Sequence, residues 1–211
     1  MFEITKSEPI YFKRAKSKVK LPKIKSAWED SNISAIRKRL REEILLKEQN
    51  LLCAYCEREI DSDRKNSNID HFKTRNLYPE ETLNYNNLLV SCNSQGKSCS
   101  SSKDSQKSIL KVREDYQNIV NPTLDNPDDY FEYITTGEII AKDNSLKANY
   151  TIKLFRLGSI DDKDNSLVKS REKIANALKN IPNLSLEEIY SIFGNEYHSF
   201  IKAIYPKLGV I

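Results

Sequence analysis

Four cysteines, as Cys53-Ala-Tyr-Cys56 and as Cys92 and Cys99, constrain this 211-residue chain more tightly than any other feature. The first pair has the spacing of a zinc knuckle; the second is separated by six residues. Four thiolates suit a tetrahedral zinc ion, and a site with four protein ligands has no open position, so such an ion is structural. A redox pair at Cys53 and Cys56 is the rival reading, but it leaves Cys92 and Cys99 unexplained. The N-terminus carries no apolar leader-like stretch, so a cytoplasmic location is expected, where spaced cysteines are more often metal ligands than disulfides. No segment approaches the ~18 consecutive apolar residues of a membrane span, and no membrane partner is expected.

Between the cysteine pairs lies Ile69-Asp70-His71-Phe72, holding one of only two histidines, and further on Asn87 precedes the apolar run Leu88-Leu89-Val90. A histidine titrating near ~6.5 can take a proton from water at neutral pH, and a neighbouring carboxylate can hold a divalent cation. On a strand the side chains of Asp70 and His71 point to opposite faces, yet at a strand end both can serve one site. His198 has no comparable neighbours and reads as structural.

The periodicity divides the chain into three segments. Residues 1–48 are a basic N-terminal arm and an amphipathic helix. Lys13, Arg14, Lys16, Lys18, Lys20, Lys23 and Lys25 follow one another with no acidic residue among them, against a net charge of only +4. Such an arm suits a phosphate backbone, or is a solvated tail or an acidic-partner contact. Pro9 and Pro22 argue against one long helix there. Asp30 and Ser31 are N-cap residues for a helix of about four turns, with Ile33, Ile36, Leu40 and Ile44 on one face. Residues 49–120 are the cysteine-bracketed unit: a polar loop at 61–68, strands at 69–72 and 88–90, a turn at 84–87 and a helix from Ser100 onward that includes Ile109, Leu110 and Val112. Its core is so small that zinc would have to staple it. Residues 121–211 hold a hairpin of 130–134 with 139–140 around Thr136-Gly137, then helices over 146–157, 167–178 and 186–204, with Pro182 breaking between the last two.

Taken together, Cys53-x-x-Cys56, Asp70-His71, Asn87-Leu88, Cys92, Cys99 and Lys103 resemble an HNH endonuclease with a zinc-bound ββα-metal core. The wording Cys53-Ala-Tyr-Cys56-Glu57, Asp70-His71-Phe72-Lys73, Asn87-Leu88-Leu89-Val90-Ser91-Cys92 and Val120-Asn121-Pro122-Thr123 is more closely similar to PtuB-like proteins, the HNH component of Septu and retron-associated anti-phage defence systems. These motifs cover about fifty residues. The resemblance implies an α+β fold: a small zinc-bound ββα-metal core with flanking helices, a hairpin and a mainly helical C-terminal region. It implies His71 as the general base, Asp70 as a ligand of a catalytic Mg²⁺ or Mn²⁺, and Asn87 as the residue that orients the histidine loop. It implies Cys53, Cys56, Cys92 and Cys99 as ligands of a structural zinc, and Lys103 and Lys73 as basic residues near the substrate.

The implied activity is hydrolysis of phosphodiester bonds in nucleic acid, with DNA favoured over RNA, alongside an ABC- or SMC-like (PtuA-like) ATPase partner. The chain departs from many HNH motifs after the last cysteine, where Ser100 replaces a metal-binding Asn or His; Asp104 is a nearby substitute. The alternatives are a non-catalytic zinc-stabilised nucleic-acid-binding module and a restriction- or homing-type HNH nuclease.

Overall fold

The structure, a computed structural model, describes residues 1–95, 97–159, 162, 164–181 and 184–208. Pro182, expected to separate two helices, lies outside the described residues. In chain order the elements are α1 (Ile10–Lys16), α2 (Ser31–Ser34), α3 (Arg37–Lys47), β1 (Ser67–His71), β2 (Leu88–Cys92) and α4 (Cys99–Lys103). They continue with β3 (Phe131–Tyr133), β4 (Ile139–Ala141), α5 (Leu146–Phe155), α6 (Ser166–Leu178), α7 (Leu186–Phe193) and α8 (His198–Ile204). The class is α+β, with two separate two-stranded antiparallel sheets. No helix among the described residues is long and apolar enough to cross a membrane.

The basic arm is folded rather than trailing. Helix α1 starts directly after Pro9, whose fixed φ suits a helix entry. Phe12, Val19 and Trp28 from this segment are buried. The helix expected from residue 31 is there but broken: Asp30 caps α2 by accepting from Asn32 N at 2.8 Å, and α3 starts anew after Ile36. Ile33, Leu40 and Ile44 are buried as the apolar stripe required, while Ile36 at the break is only partly so.

Antiparallel β1 and β2 pair in the register Asp70↔Leu89 and His71↔Leu88. The β1–β2 connection closes on a turn in which the Asn84 side chain accepts from Asn86 N at 3.1 Å. Helix α4 packs on β2 and on α5. It stops at Lys103, so Ile109, Leu110 and Val112 lie outside it, contrary to the longer helix expected. The unbroken polar run from Ser100 to Ser108 explains the early end, since it holds no apolar stripe that a longer helix could bury. The last expected helix is also split, α7 ending before Gly194 and α8 starting after Tyr197, both at positive φ.

One hydrophobic cluster runs from the N-terminal arm through the cysteine unit to α8, so all three sequence segments share a core. The small core expected for the cysteine unit alone is therefore corrected. Tyr55 stacks on Phe155 of α5, with ring centroids 4.1 Å apart, and joins the unit to the C-terminal region. Glu57, at φ 60°, accepts from Ser199 N at 2.9 Å, and its carbonyl accepts from Tyr197 N at 3.0 Å. These bonds tie the end of the first cysteine pair to α8.

Candidate metal centre and histidine cleft

Cys53, Cys56, Cys92 and Cys99 converge in the interior, with all four sulfurs within 4.8 Å of one another. The Cys53 and Cys99 sulfurs are 3.8 Å apart and those of Cys56 and Cys92 3.9 Å. A tetrahedron with ~2.3 Å zinc–sulfur bonds has edges of about 3.8 Å, so the donor set fits a zinc ion in number, kind and spacing. Cys53 Sγ also accepts from Cys92 N at 3.3 Å. Burial pushes the Cys53 thiol up, but hydrogen bonds from Cys56, Cys92 and Cys99 outweigh it and hold Cys53 well below the usual thiol range. Hydrogen bonding with Cys53 and Cys56 pushes Cys99 far above that range. A divalent cation would remove this conflict by favouring four thiolates together.

The wide loop between Cys92 and Cys99 folds back through Ser94, whose Oγ accepts from Ser98 N at 2.9 Å. Cys99 itself sits at φ 56°, a left-handed conformation that costs a non-glycine residue about 1–2 kcal/mol. A buried glutamine supports the other side. Gln49 Nε2 donates to Leu52 O and Val90 O, both at 2.8 Å, and its Oε1 accepts from Val90 N at 2.8 Å. It thus holds the Cys53 turn against β2.

His71 ends β1, and its ring is buried. Its Nε2 lies 3.0 Å from Thr82 O. A carbonyl can only accept, so Nε2 carries the proton and Nδ1 keeps its lone pair. Trp28 packs edge-on against the ring at 4.6 Å. Burial lowers the imidazole pKa to about 4, overcoming the opposing pull of the Thr82 bond and of Asp70. The expectation of an ordinary value near 6.5 is therefore corrected: desolvation disfavours the charged ring.

Asn87 clamps the segment after the histidine. Its Oδ1 accepts from Lys73 N at 2.7 Å, and its Nδ2 donates to Lys73 O at 3.0 Å and Glu81 O at 3.1 Å. Glu81 precedes the residue whose carbonyl holds His71. Through its backbone bonds, then, the Asn87 side chain fixes both the loop leaving His71 and the loop supplying its acceptor.

Asp70 points elsewhere than His71, as strand alternation requires, yet both line one cleft of about 500 Å³. Its Oδ2 accepts from Tyr55 Oη, and its Oδ1 lies 3.0 Å from Lys103 Nζ. Lys103 is buried; its ammonium also donates to Asp104 Oδ1 and to His71 O, each at 2.8 Å. Burial works against that charge, but Asp70 and Asp104 outweigh it and hold the lysine pKa above its ordinary value. Asp104 lines the same cleft, and burial together with Asp70 raises its carboxyl pKa.

Four sequence-derived site residues thus meet here, His71, Asp70, Asn87 and Lys103, with Lys103 enclosed between carboxylates instead of reaching outward. Lys73 does not join them. Its ammonium lies over the Tyr78 ring at 5.0 Å, in a separate depression. Ser100 is buried and does not line the cleft, its Oγ 3.3 Å from Asn68 Oδ1 and its N donating to Ser91 Oγ at 3.2 Å. His198 stacks on Tyr190 at 3.9 Å, far from this chemistry. Trp28, Tyr55 and Thr82 were not foreseen. As the sole tryptophan, set beside the basic arm, Trp28 carried a signal; Thr82 contributes a backbone carbonyl and carried none.

No family model matches the chain. Among curated proteins it is similar to the Septu protein PtuB of Bacillus thuringiensis, 31% identical over 120 residues that make up 56% of this chain and 40% of that protein. The similarity bears out the resemblance to PtuB-like proteins, and the chain spans well under half the length of that relative.

Proposed function

We propose that this chain is an HNH endonuclease that hydrolyses phosphodiester bonds of nucleic acid, DNA in the first instance, as the nuclease component of a Septu-type anti-phage system. One observation carries the reading: a neutral histidine at the end of a thiolate-clamped hairpin, oriented through Nε2 by a carbonyl and leaving Nδ1 as a base. The order β1, β2, α4 around four cysteines supports assignment of the core to the ββα-metal type.

His71 would take a proton from the attacking water, a role worth ~10²–10⁴-fold in rate. At its depressed pKa it is a weak base, and an anionic phosphate against the ring would strengthen it by favouring the imidazolium. Asp70 and Asp104 supply the oxygen donors that a hard divalent ion takes, and these two residues would hold Mg²⁺ or Mn²⁺ in the cleft. Such an ion, when bound, stabilises charge developing on the phosphate and the leaving oxygen. Asn87 keeps the imidazole in place and Trp28 keeps water from its face. The PtuB likeness supports a PtuA-like ATPase as partner.

The position of Lys103 between Asp70 and Asp104 favours a second reading. An ammonium already bridges both carboxylates, so a zinc-stabilised nucleic-acid-binding module without catalysis would also satisfy this arrangement. Plasmid cleavage with Mg²⁺ or Mn²⁺ separates the two, run with and without the co-expressed ATPase. His71→Ala at equal zinc content should lose cleavage by at least a hundredfold; equal cleavage by that variant removes the mechanism.

A further inference from the structure

Beside the histidine cleft lies a second concavity of about 340 Å³, walled by Arg37, Lys38 and Arg41 of α3 and by Arg64 of the loop before β1. No carboxylate lines it. Glu42, Asp61 and Asp63 act on Arg41 only from beyond ion-pair range. Arg41 is just 6% exposed, yet among the described residues it makes a single hydrogen bond, Nε to Ser62 O at 2.8 Å, and no ion pair. A guanidinium carries five N–H donors, and burying one without a carboxylate is unfavourable unless an anion completes it. Arg37 repeats the pattern in part. Its Nη2 is taken by Glu29 at 2.7 Å and by the Trp28 carbonyl, while its Nε is buried with no partner. One orphaned donor of Arg37 and the solvent-accessible Nη donors of Arg41 therefore line one hollow. A phosphate group, with several oxygens that accept from planar arginine forks, matches that demand.

The two clefts adjoin, both lined by Trp28, Asn68 and Ile69. Along β1, Asn68 and His71 are about 10 Å apart, at ~3.3 Å per residue. We infer that the hollow formed by Arg37, Lys38, Arg41 and Arg64 is a phosphate subsite, holding the backbone of a nucleic-acid strand close to the bond presented to His71. The position relative to the cut rests on the nuclease reading above; the binding itself does not.

Anisotropy of a fluorescein-labelled DNA oligonucleotide, titrated with the full chain at several salt concentrations and without divalent metal, tests this. The Lys38→Gln/Arg64→Gln double variant spares Arg37 and Arg41, whose bonds to Trp28 and Ser62 belong to the fold. It should bind about tenfold more weakly, with the slope of log affinity against log salt shallower by about one. Lys169→Gln on α6, outside both clefts, should keep the wild-type slope. A double variant with the wild-type slope overturns the subsite. So does loss of ATP binding in the double variant with oligonucleotide binding intact, since the hollow would then serve a free nucleotide. A reduced slope alongside full plasmid cleavage by His71→Ala upholds the subsite and sinks the nuclease mechanism; the opposite pair of results does the reverse.

Discussion

At the scale of single residues, the candidate site is governed by desolvation. His71 is neutral because its ring is buried against Trp28, and this has a consequence for stability. An unfolded chain takes up the histidine proton near pH ~6.5, whereas the folded ring refuses it until about 4. Its contribution to stability is therefore complete above pH 6.5 and is lost as pH falls towards 4. Urea unfolding at pH 7 and pH 5 should show a larger loss for the wild type than for His71→Gln; equal losses contradict the buried neutral ring. Lys103 has the opposite problem, a buried cation whose partners are its only compensation. Lys103→Met leaves Asp70 and Asp104 facing each other without it, and should cost ~3–5 kcal/mol in urea unfolding at pH 7. A loss under 1 kcal/mol would mean that solvent reaches Asp70 as it already reaches the half-exposed Asp104.

Secondary-structure elements here are short, and side chains rather than long hydrogen-bond ladders hold them. Strands β3 and β4 have three residues each and turn at Gly137, φ 95°. Arg171 of α6 donates from Nε to Gly137 O at 2.6 Å and from Nη2 to Leu157 O at 2.9 Å and Gly158 O at 3.2 Å. A Cβ at Gly137 would fall 2.3 Å from Val168 O, so the turn is pressed onto α6. Arg171→Met leaves Gly137 O and Leu157 O without a donor, while Gly158 O keeps Ile139 N, and should lower stability by ~2 kcal/mol or more, at about 1–3 kcal/mol per orphaned group. Gly137→Ala should also destabilise, through contact and left-handed backbone together. Thermal unfolding of both variants checks this; a melting temperature unchanged in Arg171→Met would show that water replaces the guanidinium.

For the molecule as a whole, the shared core predicts how the metal and the fold are coupled. Because Tyr55 and Glu57 connect the cysteine unit to α5 and α8, loss of a metal there should propagate. Purified protein should contain one zinc per chain. Chelation should lower its melting temperature in one cooperative transition instead of releasing residues 49–120 alone. Two separate transitions after chelation would show that the cysteine unit folds by itself. The same coupling makes Cys53→Ser a test of fold before it is a test of function, and cleavage by that variant is interpretable only beside its unfolding curve.

Much of this was legible in residue order. Cysteine spacing indicated four convergent thiols, because a metal site needs donors of one kind at short chain separations. Asn84 to Asn87 announced a turn, Thr136-Gly137 a hairpin, and the apolar stripe from Ile33 to Ile44 a helix, since each rests on local backbone preference. What the tertiary structure alone decided depends on groups distant in the chain. The split of the last helix and the folded basic arm reflect contacts with other segments. So do the partners of the site: Trp28 against His71, Tyr55 on Asp70, Lys103 between two carboxylates. Desolvation and ion pairing are sums over everything nearby, and no local pattern encodes them. Residue order thus placed the imidazole on its hairpin, while packing determined its charge and enclosed its neighbours.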